Sequence, residues 1–243
     1  MSTDVGTLTA PAVGTIVGRS PARPEDASAV AQLILLEREG RDRGWFEQEE
    51  STFHPDSLVR IAWFVGTGAE FVARSRAVFA AGLRPVHRMG PPVVHLDGDR
   101  AVAEAPAQIS IIQDFDGIEG YVVNDVRLLY RAERRAGMWK LSQMDCIYER
   151  DTVVPAVVGL SPVIDPEVLD RFRTPYRYLA YHLHLTGKQA RDDLFADDRR
   201  QEVDGLYAEA FAWLLESPQA ASSESSTEAT RPESVLARSE RTP

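Results

Sequence analysis

The sequence predicts an α+β protein in which helices come first, long strands follow in meander order, and a helical extension closes the chain. Three observations carry this. Apolar residues recur at helical spacing from Pro24, turn signals cut residues 92–150 into strands, and helical spacing returns over 165–216.

The first helix opens on Pro24 with Glu25 and Asp26 in its first turn, and Val30, Leu33 and Ile34 follow at i, i+3 and i+4. Gly40 and Gly44 are expected to loosen it into a helical hairpin. His54-Pro55-Asp56 reads as a turn, and Leu58 to Val65 is rich in bulky apolar residues. After the break at Gly66-Thr67-Gly68, a second helix carries Phe71, Ser75, Val78, Phe79 and Gly82 on one stripe. Beyond Pro85 the pattern is strand-like. Pro92 to Leu96, the turn Asp97-Gly98-Asp99 and Ala101 to Ile112 form a hairpin; turns at 114–120 and at Ala136-Gly137 then separate Tyr121 to Arg134 from Trp139 to Arg150. In the extension, Leu169, Phe172, Tyr176, Leu179, Ala180 and Leu183 share helical spacing, as do Val203, Leu206, Ala210 and Leu214. Residues 1–23 and 217–243 hold no pattern that could be buried and read as disordered tails. The expected layout is therefore tail 1–23, α+β domain 24–155, helical extension 156–216 and tail 217–243.

Composition excludes whole classes of function. Of 243 residues, 27 are Lys or Arg and 37 are Asp or Glu, and the net charge of −10 repels nucleic acid and anionic membrane surfaces. One cysteine, Cys146, rules out an internal disulfide and multi-cysteine metal sites and suits a cytoplasmic location. No stretch approaches the length of a membrane helix, and no secretory signal is read at the N-terminus.

Particular residues carry a family resemblance. His87 stands ahead of an apolar strand that ends in Asp97-Gly98-Asp99-Arg100-Ala101. Upstream, Asp42 lies four residues before Phe46, with Phe53 and Pro55-Asp56 beyond, and Trp139-Lys140-Leu141 opens the last strand. This arrangement resembles the SnoaL-like branch of the nuclear-transport-factor-2-like superfamily, which includes scytalone dehydratase and polyketide cyclases, over roughly residues 25–155. The resemblance implies a cone of N-terminal helices packed on a curved antiparallel sheet around an apolar pocket, and a homodimer formed through the outer sheet face. It also implies a small hydrophobic metabolite as ligand and no cofactor or metal. Trp45, Phe46, Trp63, Phe64, Phe71 and Tyr130 are the candidate substrate-binding residues, with Phe79 and Tyr148 as further aromatics of the pocket or its core.

His87 with Asp42 is the sharpest candidate constellation. A neutral imidazole takes a proton near pH 7 without a metal, and a carboxylate on its other nitrogen fixes the tautomer and stabilises the imidazolium. In dehydratases and dehydrochlorinases of the superfamily such a pair removes a carbon-bound proton next to a leaving group; the match implies a cofactor-independent lyase or isomerase with His87 as base and Asp42 as its orienter. Asp125, Arg127 and Asp145 form the alternative. Asp125 and Arg127 share a strand face and Asp145 lies on the next strand, which would suit an epoxide hydrolase or cyclase, although such pairs commonly occupy a wet strand face. A noncatalytic binding or scaffold protein is the third reading. His182 and His184, two apart, lack the spacing of a helical metal site and are expected to be structural or exposed; Asp192, Asp193, Asp197 and Asp198 sit among arginines that pair with them.

Overall fold

A computed structural model describes residues 24–216, so the tails expected at 1–23 and 217–243 lie outside the described residues. Helix α1 (Pro24–Arg43) and the short α2 (Phe46–Ser51) lead into β1 (Phe53–Ile61) and β2 (Phe64–Gly66), followed by α3 (Gly68–Ala80). Then come β3 (Val86–Met89), β4 (Val93–Asp97), β5 (Arg100–Phe115), β6 (Ile118–Arg135) and β7 (Met138–Pro155). The extension holds α4 (Pro166–Leu169), α5 (Arg177–Leu185), β8 (Phe195–Ala196) and α6 (Arg200–Leu215).

One curved, unclosed sheet runs in the order β2-β1-β7-β6-β5-β3, with β4 also on β5 and β8 on β7. The meander from β4 to β7 is antiparallel throughout. Its β5–β6 and β6–β7 turns place Asp116-Gly117 and Ala136-Gly137 at positive φ, the backbone that a two-residue hairpin turn demands. β1, by contrast, pairs parallel with β7. His54-Pro55-Asp56 is therefore strand and not the expected turn: the register shifts between Phe53 and Leu58, and β2 pairs only Val59 to Ile61, so Pro55 faces no ladder on that side.

The inner sheet face presents Ala101, Ala103, Ala105 and Ala107 from β5, and these small side chains leave room for Val30 and Ile34 of α1 in the main core. Gly40 does not loosen α1. A Cβ there would lie 2.8 Å from the Glu49 nitrogen, so glycine is what lets α1 and α2 touch; the helix turns only at Gly44, with φ +72°. α3 starts on a capping box in which Thr67 accepts from the Glu70 N–H and Glu70 accepts from the Thr67 N–H.

On the outer face, Val102, Leu129 and Ile147 are covered by Val203, Leu206, Ala210 and Leu214 of α6. The surface through which the resemblance implies a homodimer is thus occupied along this patch by the chain's own helix. Between α5 and α6 the extension is irregular, and Arg173–Asp198 and Arg191–Asp193 ion pairs hold it.

Candidate functional site

The buried stripe of α1 begins with Val30 and Ile34 and continues, three, four and seven residues beyond Ile34, with Glu37, Arg38 and Arg41; Asp42, eight beyond, lies half-buried at its edge. Leu35, seven residues before Asp42, is exposed. Glu37 is fully buried and holds the Arg38 guanidinium through both Nε and Nη2. Arg41 donates to the Ser75 hydroxyl, and its guanidinium lies 5.0 Å from the Phe71 ring centre and 5.4 Å from that of Trp63.

His87 reaches this stripe from β3, where it pairs with Ile109 of β5. Its Nδ1 lies 2.6 Å from Asp42 Oδ1, and its backbone N–H donates to Asp42 Oδ2 at 2.9 Å. A carboxylate on Nδ1 makes that nitrogen the protonated one and leaves Nε2 with its lone pair. Arg38 Nη1 stands 3.4 Å from Nε2. Burial lowers the His87 pKa, the Asp42 hydrogen bond opposes this, and the charges of Arg38 and Arg41 lower it further, to about 4. Burial pushes Asp42 upward, but the hydrogen bonds and charge of His87 outweigh it and hold the carboxyl below its ordinary value. The pair therefore rests as neutral imidazole and carboxylate at pH 7.

Both guanidiniums and His87 line a cavity of about 80 Å³. Its apolar wall comes from Ile109, Leu128, Met144, Leu179 and Leu183, and further polar side chains on it include Asn124, His182 and Lys188. Trp63, Val78 and Lys188 also border an adjoining groove beside α3, which marks the side where the cavity meets the surface. Cys146 lies on the wall too, but burial pushes its thiol up to about 12, so it is no thiolate nucleophile at neutral pH.

Of the aromatics named from sequence, Trp63 and Tyr148 lie on the lining. Phe71 sits behind it, 5.8 Å from Trp63 and 5.7 Å from Phe64, supporting the arginines. Phe46 packs edge-on against Phe79, and Tyr130 is fully buried with its hydroxyl unpartnered. These are core positions around the cavity. Trp45 is not brought to it: the turn at Gly44 leaves the indole 52% exposed.

Asp125, Arg127 and Asp145 are not assembled in the cavity. On β6 the lining residues are Asn124 and Leu128, so Asp125 and Arg127 face the opposite side of the sheet. There Asp125 pairs with Arg150, Arg127 with Asp197, Glu149 and Tyr207, and Asp145 with Arg60 at 2.5 Å. The sequence reading missed Arg38, Arg41, Asn124 and the lining role of His182; the signal for the arginines was the apolar period of α1 carried on from Ile34.

A family model described as SnoaL-like domain matches residues 22–145. The chain belongs to the SnoaL-like domain family. Among curated proteins, this SnoaL-like chain is 31% identical over 164 residues to pea pathogenicity protein 2 of Fusarium vanettenii, a match covering 64% of this chain and 70% of that one. It is 30% identical over 184 residues to a PEP2-like protein of the same fungus, covering 72% and 79%. Among solved structures, a hexachlorocyclohexane dehydrochlorinase of type 2 superposes with a TM-score of 0.49 at 14% identity, over 58% of this chain and 96% of that one. Among the described residues of the SnoaL-like protein, no helix is long and apolar enough to cross a membrane.

Proposed function

We propose that this SnoaL-like protein is a cofactor-independent lyase or isomerase that removes a carbon-bound proton from a small, largely hydrophobic metabolite. The observation that carries the reading is the 2.6 Å contact of Asp42 with His87 Nδ1 on the wall of an apolar cavity. Nε2 is the ring atom that accepts the proton once the substrate takes the place of the long 3.4 Å contact with Arg38 Nη1, and Asp42 stabilises the imidazolium that forms. The negative charge that develops on the substrate meets the guanidiniums of Arg38 and Arg41, which are fixed before the reaction by Glu37 and Ser75. Loss of a leaving group from the neighbouring carbon completes an elimination; return of the proton from His87 to another carbon completes an isomerisation.

The decisive experiment incubates a small-molecule extract with the purified wild type and with His87→Ala and compares the two by mass spectrometry. The reading expects a compound consumed only by the wild type, with a product of equal mass or lighter by one eliminated molecule. Equal consumption by both proteins, or a ligand retained unchanged by the wild type, contradicts it.

A further inference from the structure

One wall of the cavity is supplied from beyond the family segment at residues 22–145. His182, on α5, is 3% exposed and lines the same cavity as His87. Gln113, near the end of β5, fixes its state. The Gln113 amide donates from Nε2 to the Asp114 carbonyl at 2.5 Å, so its oxygen is the atom that meets His182 Nδ1 at 2.6 Å. An amide oxygen only accepts; Nδ1 therefore carries the proton and Nε2 keeps its lone pair. Burial, with the charge of Lys188 adding to it, lowers the His182 pKa to about 4 and keeps the ring neutral at pH 7. Among the described residues no donor meets Nε2.

Asn124 adds a second open acceptor. Its Nδ2 donates to the Ile109 carbonyl at 3.4 Å, while Oδ1, buried on the same lining, has no partner. An acceptor left open on an apolar cavity wall is costly until a donor arrives. The two histidines also differ in kind. His87 has a carboxylate behind it and can hold a proton; His182 has only a neutral amide, which suits it to accept a hydrogen bond.

We propose that His182 is a specificity-determining residue whose Nε2 accepts a hydrogen bond from a hydroxyl of the substrate, so that the cavity selects small, largely apolar compounds bearing a free hydroxyl. Calling that ligand a substrate rests on the reading of His87 as the base; the hydroxyl contact does not.

Phenol and toluene, which exchange a hydroxyl for a methyl at nearly equal size, are the probes, with dissociation constants taken by calorimetry on the full chain. The ratio of the toluene constant to the phenol constant is expected to fall about tenfold in His182→Phe, the value of one well-placed hydrogen bond, and to stay within about twofold of wild type in His87→Ala. In the unsubstituted protein, the His182 Nε2 nitrogen resonance should move on adding phenol and not on adding toluene, a measurement that needs no variant to fold. A ratio unchanged in His182→Phe, a ratio that collapses in His87→Ala instead, or a resonance unmoved by phenol overturns the proposal. Failure of the catalytic reading shows itself separately, as turnover retained in His87→Ala, and leaves the binding ratio where it was.

Discussion

Asp42 and His87, 45 residues apart in the chain, are joined twice by one carboxylate: Oδ1 meets the ring at Nδ1 and Oδ2 accepts the His87 backbone N–H. The second bond matters as much as the first. It ties the carboxylate to the strand that carries the imidazole, so the partner of Nδ1 is held in place by the main chain, and the orientation of the ring is set before any ligand arrives.

The pH dependence of activity follows from the state of His87. Only the neutral ring accepts a proton, and its pKa is lowered to about 4. kcat/KM should be level from about pH 5.5 to 8 and should fall about tenfold per pH unit below about 4 wherever the fold persists. A rise in activity through pH 6 to 7, the profile of an ordinary histidine, would show that the ring is not buried as described.

Stability should answer to the same shifts. His87 and His182 are both held at about 4, against 6.5 for the ordinary group, so between these values the unfolded chain binds protons that the folded chain refuses. Their contribution is complete above about pH 6.5 and is lost as pH falls toward 4. Replacing His182 with Phe should flatten the decline in thermal midpoint between pH 6.5 and 4.5; an unchanged slope would place its titration elsewhere.

Glu49 shifts in the opposite sense. Burial, with the charge of Glu37 adding to it, pushes its carboxyl up to about 7 despite Arg41 and Arg38 nearby, and neither of its oxygens has a hydrogen-bond partner. A raised carboxyl costs stability as pH climbs from about 4.5 through 7. Glu49→Gln should therefore match wild type near pH 4.5 and exceed it by roughly 1–3 kcal/mol at pH 8, read from urea unfolding. Equal stabilities at pH 8 would show that the carboxylate ionises without cost.

Gly40 predicts a packing penalty. An added Cβ would stand 2.8 Å from the Glu49 nitrogen and 3.0 Å from the Trp45 oxygen, both backbone atoms. Despite the better helix propensity of alanine, Gly40→Ala should destabilise by about 1–3 kcal/mol. A stabilised variant would mean that α1 and α2 separate easily.

The α+β order and the strands from β4 to β7 were legible in the sequence because Gly and Asp punctuate the meander while apolar residues fill it. The parallel β1 was not: Pro55 normally argues against a strand, and it is tolerable here because it falls in the register break between Phe53 and Leu58, where no ladder partner needs its missing N–H. Within the site, His87 and Asp42 stood out through the family pattern. Arg38, Arg41 and Glu37 did not, because a run such as Glu37 to Arg43 ordinarily lies in water, whereas here Glu37 pairs with Arg38 and Arg41 with Ser75 inside the core; Glu49, buried without a hydrogen-bond partner, gave no signal either. Alternation placed Asp125 and Arg127 on one face correctly. It gave no indication of which face, since β6 is covered on both sides, by the core at Leu128 and by α6 at Leu129.

The central claim, that Asp42 acts through His87 on a substrate proton, is tested most directly by turnover of His87→Ala, Asp42→Asn and the double variant on one substrate. Turnover should fall roughly a hundredfold or more in His87→Ala and less in Asp42→Asn, and the double variant should be no worse than His87→Ala alone, because the orienter then has nothing to orient. Near-normal turnover in both single variants, or losses that multiply in the double variant, would contradict it.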